Sequence, residues 1–209
     1  MKKGIILNLK RFKILDYVTH NKIIIFLCIL FVTGMILSVT ALSNENKLID
    51  SAKSFLNEYI LLHSNDKFFK KFITIFIRYI FVLIFYYFLG ASMFGVVAIP
   101  FLTLWQGIWF GALTSQLYST YGIYGVAFNA IILIPPTAIF VICCFIAAKH
   151  SIDYSLLVAK LTLPQAKPII LFNNFKKYCS TYLIITGVVI VTVLLEIVLN
   201  LFFLKFFNF

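Results

Sequence analysis

Residues 79–148 contain no Asp, Glu, Lys, Arg or His. A water-soluble fold needs charge at its surface at much shorter intervals, so a 70-residue gap of this kind has to sit in a different solvent. One bilayer crossing takes roughly 20 apolar residues. The gap therefore holds about three crossings joined by tight turns. The rest of the chain agrees: 62% of all 209 residues are hydrophobic, and the mean hydropathy is +1.02. The fold class expected is an all-α, polytopic transmembrane helix bundle. Segment 1–22 is read as a basic cytoplasmic N-terminal segment and 23–209 as a single integral membrane domain, with no separate soluble catalytic domain.

The net charge of +11 does not point to nucleic acid, because the basic residues flank the apolar runs, where they orient a membrane protein. Lys2, Lys3, Lys10, Arg11, Lys13 and Lys22 oppose a single acid, Asp16, before the first apolar run. This places the N-terminus in the cytoplasm. About five spans are expected, at about 23–42, 72–91, 101–118, 126–148 and 179–204. The first is too long for a secretory signal and is read as uncleaved, although residues 39–41 resemble a cleavage site. The stretch 89–100, rich in small residues and closed by Pro100, reads as a tight apolar turn or broken helix, and 119–125 as an outer turn with interfacial tyrosines. The loop at 150–177 carries Lys160, Lys167, Lys176 and Lys177 against Asp153. That excess makes it cytoplasmic and leaves the C-terminus outside. The protein is expected to be a multi-pass protein of the cell membrane, with membrane lipid as its first partner.

Between the first two spans, Leu48, Ala52, Phe55, Tyr59 and Leu62 recur at helical spacing, beside Ile49, Leu56 and Ile60. They form one face of an extracytoplasmic amphipathic helix. Such a helix either lies on the membrane surface or docks an extracytoplasmic partner.

Within the third span, Gly107, Gly111, Ser115 and Ser119 fall on one face, four residues apart. Apolar burial does not drive helices together in lipid, so close backbone approach and interhelical hydrogen bonds take over. This face is a packing groove, for another helix of the same chain, for a second copy in a homodimer or for a partner's helix.

Catalytic patterns are missing. No H-E-x-x-H, G-x-S-x-G or P-loop spacing occurs, and His20, His63 and His150 lie on flanks. Cys28, Cys143, Cys144 and Cys179 have no C-x-x-C spacing, so neither a disulfide framework nor a metal site is indicated. They read as small apolar packing residues. Catalytic, cofactor and metal sites are all expected to be absent, and the chain is not expected to be an enzyme. Gln106, Ser115, Asn129 and Thr137 would suit either a polar path or helix packing. Two ionisable residues fall inside expected spans, Arg78 and Glu196. At about 1.5 Å per residue both lie roughly 10–14 Å below the outer surface. An interhelical ion pair is one reading. The other has Arg78 reaching the interface alone and Glu196 meeting a hydroxyl or a partner protein.

The order Leu89-Gly90-x-Ser92, Gly95, Pro100, Gly107-x-x-x-Gly111, Gly122, Gly125 and Pro135, within residues 87–141, resembles the stage II sporulation protein M family. Gln106 and Pro135-Pro136-Thr137 depart from that pattern and mark a divergent member. The resemblance implies a scaffold for engulfment during sporulation. It would hold the peptidoglycan-degrading stage II sporulation proteins D and P at the septal membrane. The competing reading from the residues is a channel or transporter component, such as a permease subunit, since helices broken near Pro100 and Pro135 can line transport sites.

Overall fold

A computed structural model describes residues 22–41, 54, 68–161 and 168–203. The outer amphipathic face expected at Leu48, Ala52, Phe55, Tyr59 and Leu62 lies outside the described residues. What is described is helical, with no strand among the described residues. We number the helices α1 (Lys22–Ala41), α2 (Phe68–Ala91), α3 (Gly95–Phe128), α4 (Ile134–Leu161) and α5 (Pro168–Phe203); a π-helical segment, Asn129–Leu133, joins α3 to α4.

Four helical runs are long and apolar enough to cross a membrane: Lys22–Thr40, Phe68–Ala91, Gly95–Lys160 and Asn174–Phe202. The third is 66 residues long. Held straight it would measure about 100 Å, three times the thickness of a hydrocarbon core of about 30 Å. It turns back instead. Gly122 has φ 54° and ψ −130°, inside what is otherwise continuous helix. A Cβ placed on Gly125 would fall on the carbonyl oxygen of Leu117, and Asn129 Nδ2 donates to Tyr118 Oη at 2.8 Å. In a straight helix residues 117 and 125 would be about 12 Å apart along the axis. The run is thus a hairpin of two crossings, and the bundle has the five apolar crossings read from the sequence.

Several boundaries moved. The turn expected somewhere in 89–100 is confined to Ser92, Met93 and Phe94. There Gly95 N donates to Ser92 O at 3.1 Å and Ser92 N to Leu89 O at 3.0 Å. The third span therefore starts at Gly95 and not near 101, with Pro100 inside α3. Proline removes one donor close to the helix start, where few carbonyls precede it, and the helix carries that loss. Pro135 and Pro136 lie inside the return crossing, where the backbone stays helical but regular bonding gives way to the π segment. The π segment just before them absorbs an extra residue where the normal donors are missing. The loop expected at 150–177 is largely helix. α4 runs on to Leu161 and α5 begins at Pro168, eleven residues before the expected span.

The core lies between α2, α4 and α5, around Leu83, Tyr86, Ala147, Ala148, Ile185, Val189, Val193 and Ile197. Cys143 and Cys144 are buried in it as free thiols. Facing outward, Phe88, Val97, Phe101, Leu183 and Ile184 are each two-thirds or more exposed. Apolar surface on that scale belongs against lipid.

The short turn between α2 and α3 is enclosed by hydroxyls from elsewhere. Ser155 Oγ donates to Ser92 O at 2.6 Å, Tyr178 Oη to Tyr87 O at 2.9 Å and Ser151 Oγ to Tyr86 O at 3.0 Å. Irregular backbone at membrane depth persists only where protein meets its polar groups, and here α4 and α5 supply the donors. Gly90 makes this possible, since a Cβ there would lie 2.7 Å from Ser151 Oγ.

Candidate functional site: a glycine seam and a laterally open cleft

α1 and α3 meet along small residues. A Cβ on Gly107 would land on the carbonyl oxygen of Phe31, and one on Gly34 on that of Leu104. At Gly111 it would lie 2.8 Å from Met35 O and 3.0 Å from Ser38 Cβ. The pairs advance together, Phe31 with Gly107 and Met35 with Gly111, so the two helices run parallel. The seam brings backbone onto backbone, which only residues without a Cβ allow. Of the four residues of the stripe, Gly107 and Gly111 lie in this seam. Ser115 is half-buried. Ser119 is exposed and its Oγ donates to Gln116 O at 3.0 Å. Sequence reading missed the other half, Gly34 and Ser38, although they too stand four residues apart in an apolar run. Ser38 Oγ is buried in the seam with no hydrogen-bond partner.

On the other side of α3 lies a cavity of about 670 Å³. α2 contributes Arg78, Tyr79, Phe81, Val82 and Phe85; α3 contributes Trp105, Gln106, Trp109, Phe110 and Thr114, with Leu102 and Leu113 beside them. Asn129, Thr137 and Phe140 also line it, with Phe31 of α1 and Glu196 of α5. Trp105 and Phe81 are each more than half exposed, so the cavity is a cleft with a rim of aromatic rings.

Arg78 and Glu196 thus come to one site from two helices. Glu196 is 3% exposed, and Tyr79 Oη donates to its Oε2 at 2.6 Å. Burying a carboxylate costs several kcal/mol unless donors compensate, and this phenol is one such donor. Tyr79 is itself fixed by stacking on Phe140, with ring centroids 4.3 Å apart. Sequence reading anticipated a hydroxyl as one partner for Glu196 without naming Tyr79, whose position next to Arg78 gave no periodic signal. The other polar residues of the cleft have partners. Tyr86 Oη donates to Gln106 Oε1 at 3.0 Å, and Gln106 Nε2 contacts Cys144 Sγ at 3.9 Å. Thr137 Oγ1 donates to Leu133 O at 2.6 Å. Asn129 holds Tyr118 across the hairpin, as above.

Nothing in this arrangement sets a nucleophile beside a base. Among the described residues, no group of three or more His, Cys, Asp or Glu could hold a metal ion.

A family model described as stage II sporulation protein M matches residues 23–199. No curated protein and no solved structure matches the chain.

Proposed function

Because the chain belongs to the stage II sporulation protein M family, and is thus a sporulation-related multi-pass membrane protein, we propose that it is a non-enzymatic scaffold. It would recruit extracytoplasmic peptidoglycan-remodelling enzymes to the membrane during engulfment, with the stage II sporulation proteins D and P as its partners. The observation that carries this reading is the family match, which covers most of the chain. The bundle is compatible with it: a tightly seamed set of helices offers a stable platform, and the described residues bring no catalytic set together. In this reading the N-terminus is cytoplasmic and the C-terminus extracytoplasmic. Arg78 and Glu196 would tie α2 to α5 as an intramembrane ion pair. The segment bearing Leu48, Ala52, Phe55, Tyr59 and Leu62 would present the docking face, and a homodimer would bring two such faces together.

A second reading is favoured by one specific observation. The cleft contains a cation and a carboxylate at membrane depth, and intramembrane ionisable residues often mark a transport path. A channel or permease component would account for them.

Affinity purification from mild detergent, followed by identification of co-purifying proteins, separates the two. Recovery of a cell-wall hydrolase is expected, and its loss on Phe55→Ser/Tyr59→Ser would place docking on the outer segment. Recovery of an ATPase subunit alone would overturn the scaffold.

A further inference from the structure

The cleft between α2 and α3 has a polar end and an apolar end. The hydrogen bonds of Tyr86 to Gln106 and to Thr103, at 3.0 Å, set the register of these antiparallel helices. Arg78 lies two turns back along α2, level with Leu113 and Thr114 on α3. From there Phe81, Val82 and Phe85 descend along one wall, and Trp109, Trp105 and Leu102 along the other, over roughly 12 Å. The polar groups further down are already engaged: Gln106 with Tyr86 and Cys144, Thr137 with its own helix. Charge is confined to the upper end, where Arg78 and Glu196 stand.

Volume narrows the occupant. A helix crossing the membrane is 10–12 Å wide and would displace on the order of 3000 Å³. The cleft offers about 670 Å³, within the range of roughly 300–1000 Å³ typical of sites for small amphiphilic ligands. Its walls are aromatic and aliphatic, and it opens sideways at Trp105 and Phe81, where the surrounding medium is lipid. Charge narrows it further. One cation and one carboxylate leave the site neutral overall, so a net-anionic head would bring an unbalanced charge into a medium that penalises it. A head carrying both signs would not, and a primary ammonium, unlike the quaternary ammonium of phosphatidylcholine, can donate hydrogen bonds to a carboxylate. A guanidinium has five donors and a carboxylate about four acceptor positions, so each can hold a lipid group alongside protein partners such as Tyr79.

We propose that this cleft binds one zwitterionic aminophospholipid from the leaflet nearer Arg78. Its phosphate lies on Arg78, its ammonium on Glu196 and one acyl chain between the aromatic walls. This holds whether or not the protein recruits wall enzymes.

The chain has two tryptophans, and both, Trp105 and Trp109, line the cleft. Their fluorescence therefore reports its occupancy directly. The full-length protein is reconstituted in phosphatidylcholine vesicles with a minor fraction of chain-brominated phosphatidylethanolamine or phosphatidylglycerol. The ethanolamine lipid is expected to quench well beyond its bulk mole fraction, and the glycerol lipid only in proportion to it. Native mass spectrometry in detergent should show one retained phosphatidylethanolamine. Arg78→Gln and Glu196→Gln should each lower that retention about tenfold or more, as loss of a charge-assisted hydrogen bond predicts. Where a charge variant fails to fold, Leu102→Phe shortens the apolar end with both charges in place and should still lower retention. Equal quenching by the two lipids, no lipid retained, or full retention in Leu102→Phe and in the folded charge variants would overturn the proposal. Absence of both signals is also the result expected if a partner's side chains fill the cleft.

Discussion

At the scale of single residues, the seam between α1 and α3 is the most sensitive part of the molecule. Gly111→Leu would drive a side chain into Met35 O, a backbone atom that cannot rotate away. We expect it to lower stability by about 3 kcal/mol, at the upper end for overpacked sites, read as a lower unfolding temperature in detergent and a lower membrane yield. Ser38→Ala is the contrasting case at the same seam. Its hydroxyl is buried without a partner, so removing it should leave stability unchanged or slightly raised. A marked loss in that variant would show that Ser38 Oγ has a partner in the membrane. The stripe at Gly107 and Gly111 was legible because its spacing alone declares a face. What the face presses against was not, since spacing on one helix says nothing about the neighbour. Tyr79, the donor to Glu196, was invisible for a related reason: one tyrosine among many in an aromatic-rich run has no signature until two helices set its hydroxyl on a carboxylate.

Among the elements, the hairpin turn within α3 depends on one conformation. Gly122 is the only described residue with positive φ, and a Cβ there would meet no neighbour. Gly122→Ala therefore tests backbone strain free of steric conflict. With ψ at −130° this is a positive-φ region open essentially to glycine alone, so the change should cost about 1–3 kcal/mol, measured as a shift in detergent unfolding, with the fold retained. The helix ends show where sequence reading falls short. Expected boundaries followed the charges, which mark where the chain leaves the hydrocarbon. Helices do not have to stop there. α4 passes its first flanking cation, Lys149, and continues to Leu161, because backbone hydrogen bonds inside a helix are as well satisfied in water as in lipid. Proline acted differently at its two sites. Pro100, near the start of α3, is carried inside that helix, whereas Pro135 and Pro136 stand within the return crossing, where regular helical bonding gives way to the π segment Asn129–Leu133 as the sequence suggested.

For the whole molecule, the testable expectation is its orientation. In a background with the four native cysteines replaced, Tyr124→Cys at the hairpin tip should react with an impermeant maleimide added to intact cells. Lys160→Cys should react only after permeabilisation. The reverse pattern would invert the assignment of inside and outside. Three properties were settled by the sequence alone: hydrocarbon as the surrounding solvent, the number of crossings, and the family, through the order of its glycines and prolines. Each depends on composition or spacing along a single chain, which a linear text preserves. The partnership of α1 with α3, the hydroxyls that enclose the Ser92 turn, and the meeting of Arg78 and Glu196 in one aromatic cleft were decided by tertiary structure. They join residues more than a hundred positions apart, as Tyr79 and Glu196 are at 117, and which helix faces which follows from packing complementarity, a property of surfaces that exist only once the helices have met.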